Sequence, residues 1–153
     1  RDRMKIIELK NNKTLLKEYV KLCNLEWGTK KSLLEMNLYI EKKVNKILED
    51  DKVISVQALV NNDELIGFIS LFKYDGDEKR DLTPWYATMF VKDKYRKKGY
   101  SKILNDAIIK KAKELNYSKV YLKSNLVNYY EKFGAKYIEN LNNGEKLYYI
   151  DLE

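Results

Sequence analysis

The chain has 153 residues, 44% of them hydrophobic and 35% charged, which fits one compact domain with one core and excludes a disordered, a fibrous or a two-domain catalytic protein. One cysteine and no histidine leave no intrachain disulfide, no structural zinc or other metal site, and no Ser-His-Asp or Cys-His machinery, so proton transfer falls to Asp, Glu, Tyr, Lys, Cys, water or backbone. The net charge of +7 attracts polyanions in general and does not by itself choose among nucleic acid, an anionic membrane and a phosphorylated ligand.

Arg1-Asp2-Arg3-Met4 is not followed by an apolar stretch, and no apolar run approaches the roughly 18 residues of a membrane span. The expectation is a soluble, cytoplasmic protein with no membrane partner. Met4 to Leu9 reads as a strand. Asn11-Asn12 then opens a helical pattern at Leu15, Leu16, Tyr19, Val20, Leu22, Cys23 and Leu25, which Gly28 ends. From Ser32 to Leu48 the spacing of Leu33, Leu34, Leu38, Ile40, Val44, Ile47 and Leu48 predicts one amphipathic helix, or two short ones, with those residues as the core-facing stripe. Val53 to Val60 and Leu65 to Phe72 are strand-like and separated by Asn61-Asn62-Asp63-Glu64, a hairpin connection that makes them antiparallel neighbours.

Tyr74 to Asp81 is a charged surface loop, and Thr83-Pro84 leads into a strand from Trp85 to Val91. Ser101 is the expected N-cap of a helix to about Leu115, with Ile103, Leu104, Ala107, Ile108, Ala112 and Leu115 on one face and Asn116 as its stop. A strand at Lys119 to Leu122 follows, then a short helix at Val127 to Phe133 closed by Gly134. Strands at Ala135 to Leu141 and Leu147 to Leu152, joined by Asn142-Asn143-Gly144, finish the chain. The order β-α-α-β-β-β-α-β-α-β-β belongs to a mixed α/β (α+β) fold and to one domain over residues 1–153.

The junction with most chemical content runs from Met89 through Lys94, Arg96, Lys97, Lys98 and Gly99 to Ser101, where a strand feeds a glycine-bearing turn and then a long helix. Unpaired amides and partial positive charge at a helix N-terminus suit phosphate, and the four cations before Gly99 add to both. The turn lacks the patterns of a P-loop or a dinucleotide fold, so a different phosphate-binding fold is required.

Arg96-Lys97-Lys98-Gly99-Tyr100-Ser101 resembles the Arg/Gln-x-x-Gly-x-Gly/Ala pattern of the GNAT (general N-acetyltransferase) superfamily, departing from it at Ser101. Downstream, Tyr129-Tyr130-Glu131-Lys132-Phe133-Gly134-Ala135 is similar to the family's Tyr-Glu-Lys-x-Gly-Phe segment, with Ala135 in place of Phe. With the element order, the resemblance spans nearly the whole chain, although the first ~50 residues match only in outline. It implies a mostly antiparallel central sheet flanked by helices and an acetyl-CoA-dependent N-acetyltransferase acting on a primary amine. It also implies that the six residues of the turn hold the pyrophosphate, and that Met89, Phe90 and Val91 pair with the pantetheine arm as an added strand.

The resemblance further implies Tyr130 as the acid beside the CoA sulfur, Tyr129 being the neighbour that a one-residue slip would promote. For the base, Glu26, Asp75, Glu78 and Asp81 lie in segments that the family places around the acceptor. Glu26 leads because Trp27 beside it is placed to desolvate it. Asn125 and Asn128 are candidates for hydrogen bonds to cofactor amides. Cys23 falls in an apolar helical stripe and reads as a packed residue. Two rival readings are a non-catalytic acyl-CoA sensor or scaffold and a basic nucleic-acid-binding domain. The latter is weaker, since Lys119, Tyr121 and Lys123 alternate as on any half-exposed strand. The acceptor is expected to be a small-molecule or peptide amine, with acids in the Tyr74 to Asp81 loop pointing to a cationic small molecule, and the exposed edge of the final hairpin suits pairing into a homodimer.

Overall fold

A computed structural model describes residues 3–153. Strand β1 (Met4–Glu8) is followed by α1 (Lys13–Trp27) and α2 (Leu33–Glu49), then by β2 (Val53–Asn61), β3 (Glu64–Phe72) and β4 (Trp85–Val91). Helix α3 (Tyr100–Glu114), β5 (Lys119–Ser124), β6 (Ala135–Asn140) and β7 (Lys146–Asp151) complete the order. One seven-stranded sheet runs β1-β2-β3-β4-β5-β7-β6. Every pairing is antiparallel except that of β4 with β5.

Local chemistry starts the first two helices where the sequence places them. Asn12 accepts the Leu15 amide at 3.0 Å with its side chain, and Gly28 closes α1. Ser32 and Glu35 form a reciprocal capping box, the Glu35 amide donating to Ser32 Oγ at 3.2 Å and the Ser32 amide to Glu35 Oε1 at 2.8 Å. Leu15, Leu16, Tyr19 and Val20 of α1, with Val44 and Ile47 of α2, cover Val56, Ala58, Val60, Leu65 and Phe68 on one face of the sheet. On the other face Leu104, Ile108 and Ala112 of α3 meet Ile66, Ile69, Leu71, Val120 and Leu122. Burial of each large side chain contributes about 1.5–3 kcal/mol, so the two layers fix α1 and α3 against opposite sides of β3 and β4.

Three expectations need correction. Helix α2 is one helix, but Leu33, Leu34, Leu38 and Leu48 are exposed, and Met36, Val44 and Ile47 carry its packing. At about 100° per residue Leu34 and Leu38 fall on the side of the helix opposite that line. Ser101 does not cap α3: Gly99 does, in the left-handed region at φ 83°, and Ser101 lies inside the first turn. The helix expected at Val127 to Phe133 is a 3-10 turn of Tyr130–Phe133 only, closed as expected by left-handed Gly134.

Candidate active site

β4 and β5 pair through a single position, Trp85 opposite Tyr121, where the Tyr121 amide donates to the Pro84 carbonyl at 3.0 Å. Beyond it the two strands diverge, which leaves one edge of β4 without a neighbouring strand. Within this wedge β4 is bulged: its pairing with β3 slips after Phe68, and Thr88 adopts φ 50°. Three hydroxyls hold the bulge from behind, because Tyr19 of α1 reaches Ser70 of β3 at 2.7 Å and Ser70 in turn bonds the Thr88 side chain. Tyr86 donates to Asn105 Oδ1 of α3 at 2.7 Å, and burial pushes its phenol well above the usual range.

A cavity of about 830 Å³ lies between the end of β4 and the start of α3. Lys97 and Gly99 both have positive φ, 64° and 83°. Gly99 offers no side-chain cap, so the first amides of α3 have no side-chain partner at that end. Arg96, Lys97, Lys102 and Lys132 line the cavity with Tyr129. Arg96 is held by Asp93 at 2.7 Å and donates through Nε to the Val91 carbonyl at 2.7 Å. Lys102 faces Asp106 at 3.0 Å, whereas Lys97 makes no ion pair with another described residue. Lys94 turns away to Glu64 at 3.0 Å, a carboxylate that also accepts from the Tyr95 hydroxyl at 2.7 Å. The net field in this cavity is cationic.

A second cavity, of about 430 Å³, opens against Tyr86, Thr88, Met89 and Tyr130. Its charged lining is Asp75, Glu145 and Lys123, and Trp27 forms part of its wall. Burial, with the neighbouring Tyr129 adding to it, raises the Tyr130 phenol above its ordinary value, so Tyr130 is a donor at neutral pH. Asp75 is likewise raised, first by burial; Lys123 opposes the shift and Glu145 adds to it. Tyr86 and Asn105 line different cavities, and so do the adjacent tyrosines Tyr130 and Tyr129. The two spaces therefore share a thin partition at the wedge.

Val91, Arg96, Lys97, Gly99, Tyr100 and Ser101 line the first cavity, and Met89 and Tyr130 the second. Phe90 points to the α1 side, stacked on Phe68 with centroids 5.5 Å apart and edge-on to Trp27. Lys98, Asn125 and Asn128 are exposed and line neither space. Glu26 is exposed too, so Trp27 does not desolvate it. Of the four carboxylates weighed as base, Asp75 lines the second cavity, and Glu26, Glu78 and Asp81 do not. Lys132, Lys123, Glu145 and Tyr86 were not singled out for the site. Lys132 lies within the Tyr129 to Ala135 segment, but Glu145, in a terminal hairpin, carries no local signal.

Residues 16–135 match the model of the acetyltransferase (GNAT) family. The chain belongs to that family. It is accordingly an acyltransferase, and the expected fold is the observed one. Three GNAT-type folds illustrate the likeness. An aminoglycoside 6'-N-acetyltransferase solved with coenzyme A is 18% identical with a TM-score of 0.72, covering 97% of each chain. An N-acetyltransferase from Staphylococcus aureus is 17% identical with a TM-score of 0.71, over 98% of this chain and 99% of that one. The PaiA N-acetyltransferase of Thermoplasma acidophilum, in complex with coenzyme A, is 18% identical with a TM-score of 0.63, over 97% and 98%. No curated protein matches the sequence significantly. Among the described residues no helix is long and apolar enough to cross a membrane, and no group of three His, Cys, Asp or Glu residues is placed to hold a metal ion.

Proposed function

We propose that this GNAT chain is a single-domain N-acetyltransferase that moves the acetyl group of acetyl-CoA to a primary amine of a small molecule by direct attack. The observation that carries the reading is the pair of oppositely charged cavities meeting at the wedge between β4 and β5, cationic on the α3 side and anionic on the other. Arg96, Lys97 and the uncapped amides beyond Gly99 would hold the pyrophosphate. The free edge of β4 at Met89 to Val91 would pair with the pantetheine arm. When bound, acetyl-CoA supplies a thioester whose carbonyl carbon accepts the amine nitrogen as the carbon–sulfur bond breaks and its electron pair leaves with sulfur.

Tyr130 and Asp75 manage the protons. An alkyl ammonium titrates near ~10 and must lose a proton before it attacks. Asp75, through a water, accepts it. The Tyr130 hydroxyl, kept protonated by burial, donates to the departing sulfur and regains a proton from solvent, to which the nitrogen gives up its second proton as the amide forms. Asp75 replaces Glu26 in this role because it faces the cavity and Glu26 faces water.

A thermal-shift titration with acetyl-CoA, followed by a panel of primary amines scored by release of free thiol, tests the proposal. Stabilisation should rise logarithmically once the ligand exceeds its dissociation constant, by about 2.7 kcal/mol at a hundredfold excess. No stabilisation by acetyl-CoA would sink the reading of the first cavity. Stabilisation without thiol release by any amine would favour a non-catalytic acyl-CoA sensor.

A further inference from the structure

The second cavity has features that amine acetylation does not by itself require. Asp75 comes from the loop between β3 and β4, and Glu145 from the hairpin before β7, so two segments remote in sequence deliver carboxylates to one space of about 430 Å³. The Asp75 carboxylate makes no hydrogen bond or ion pair with another described residue. Glu145 accepts from Asn143 Nδ2 at 2.8 Å through Oε1, which leaves Oε2 without a partner among the described residues.

The cation present, Lys123, does not neutralise them both. Its Nζ donates to the backbone carbonyl of Asp75 at 2.7 Å, and so ties the loop to β5. Gly76 adjoins this contact, and a Cβ there would stand 3.1 Å from the Lys123 nitrogen. Two carboxylates against one engaged ammonium give a negative space in a protein of net charge +7. Trp27, half exposed at 52%, adds an aromatic face to the wall, a surface on which an alkyl chain or a cation rests well.

We infer that the acceptor carries a second positive charge, and that the cavity takes a short diamine or polyamine with its reacting amine at Asp75 and Tyr130 and its distal ammonium at Glu145. The inference rests on the acetyltransferase reading of this site. An acceptor with a carboxylate near its amine, such as an amino acid, would set that group against Asp75 and Glu145 with no unengaged cation to receive it, and is disfavoured.

Three acceptors with the same four-carbon chain separate the cases: butylamine, diaminobutane and γ-aminobutyrate end in a neutral, a cationic and an anionic group. In the wild type, kcat/KM for diaminobutane should exceed that for butylamine about tenfold, the scale of one charge-assisted hydrogen bond at a half-buried site, mainly through KM. The value for γ-aminobutyrate should be the lowest. In Glu145→Gln, which keeps shape and hydrogen-bonding capacity, the preference for the diamine should fall towards unity while the shift in Tm caused by acetyl-CoA persists. Equal rates for the three acceptors, or a diamine preference that survives in Glu145→Gln, overturns the inference. Calorimetric titration of diaminobutane and butylamine into the protein keeps the outcomes apart. If acetyl-CoA fails to bind, the enzymatic reading fails, yet diamine binding lost in Glu145→Gln still supports the subsite. No binding of the diamine to the wild type overturns it.

Discussion

The Tyr86 hydroxyl donates to Asn105 Oδ1 at 2.7 Å, with both residues buried, and so joins β4 to α3 where the two cavities meet. Removing either group leaves the other's polar atom without its protein partner. Asn105→Ala and Tyr86→Phe should each cost about 1–3 kcal/mol, the penalty of a buried polar group left unpaired. A double-mutant cycle by urea unfolding should show non-additivity well above the ~0.5 kcal/mol expected of independent sites. Additive losses would mean that the bond contributes nothing.

Gly99 and Tyr130 should separate binding from chemistry. A Cβ at Gly99 would meet nothing within 4 Å, but φ is 83°, so Gly99→Val is resisted by the backbone and displaces the amides at the start of α3. We expect acetyl-CoA affinity to fall by about tenfold or more. Tyr130→Phe should instead lower kcat by roughly two orders of magnitude, within the range of a general acid, with the acetyl-CoA dissociation constant nearly unchanged. Parallel loss of binding in both variants would make Tyr130 a structural residue.

Cys23 should be inert while the protein is folded. Burial pushes its thiol up to about 12, against smaller opposing effects from Tyr19 and Lys43. A raised thiol pKa means less thiolate at any given pH, so at pH ~8 alkylation should run about a thousandfold slower than for an ordinary cysteine. Labelling followed by mass spectrometry checks this: full reactivity should return in denaturant. Rapid labelling of the native protein would show that the thiol is not held in its buried place.

Gly67 lies where β3 crosses close to β4. A Cβ there would stand 2.6 Å from the Phe90 carbonyl oxygen and 3.2 Å from Val91 Cα, and neither backbone atom can swing aside as a flexible side chain would. Gly67→Ala should therefore destabilise the fold by about 1–3 kcal/mol, measured by thermal unfolding, and should weaken acetyl-CoA binding through the displaced end of β4. An unchanged Tm would show that the strands yield at little cost.

What could be read in the sequence is what local chemistry decides. Asn12, Gly28, Ser32 and Gly134 start or stop their elements by contacts within a few residues, and the basic turn before α3 carries its own pattern. Leu34 and Leu38 misled because apolar character does not say which side of a helix will find a partner, and α2 packs along one line. Ser101 misled for a neighbouring reason: glycine in the left-handed region can open a helix without a side-chain cap, and here it does so two residues earlier. The bulge at Thr88 rests on hydroxyls from three separate elements, and the pairing of Asp75 with Glu145 depends on where two loops end up. Neither has a signature shorter than the fold itself.

The seam between β4 and β5 has a mechanical consequence. Strands β1 to β4 and strands β5 to β7 form two plates that share one paired position, Trp85 with Tyr121. That joint is clamped by a small apolar cluster of Trp85, Leu141 and Leu147, with Phe72, Leu82 and Tyr121 against it. Helix α3 packs across both plates and keeps them in one core, so the backbone amides of β4 that face the gap should exchange with solvent faster than those of β3. A donor molecule lying along that free edge would slow them by pairing with them.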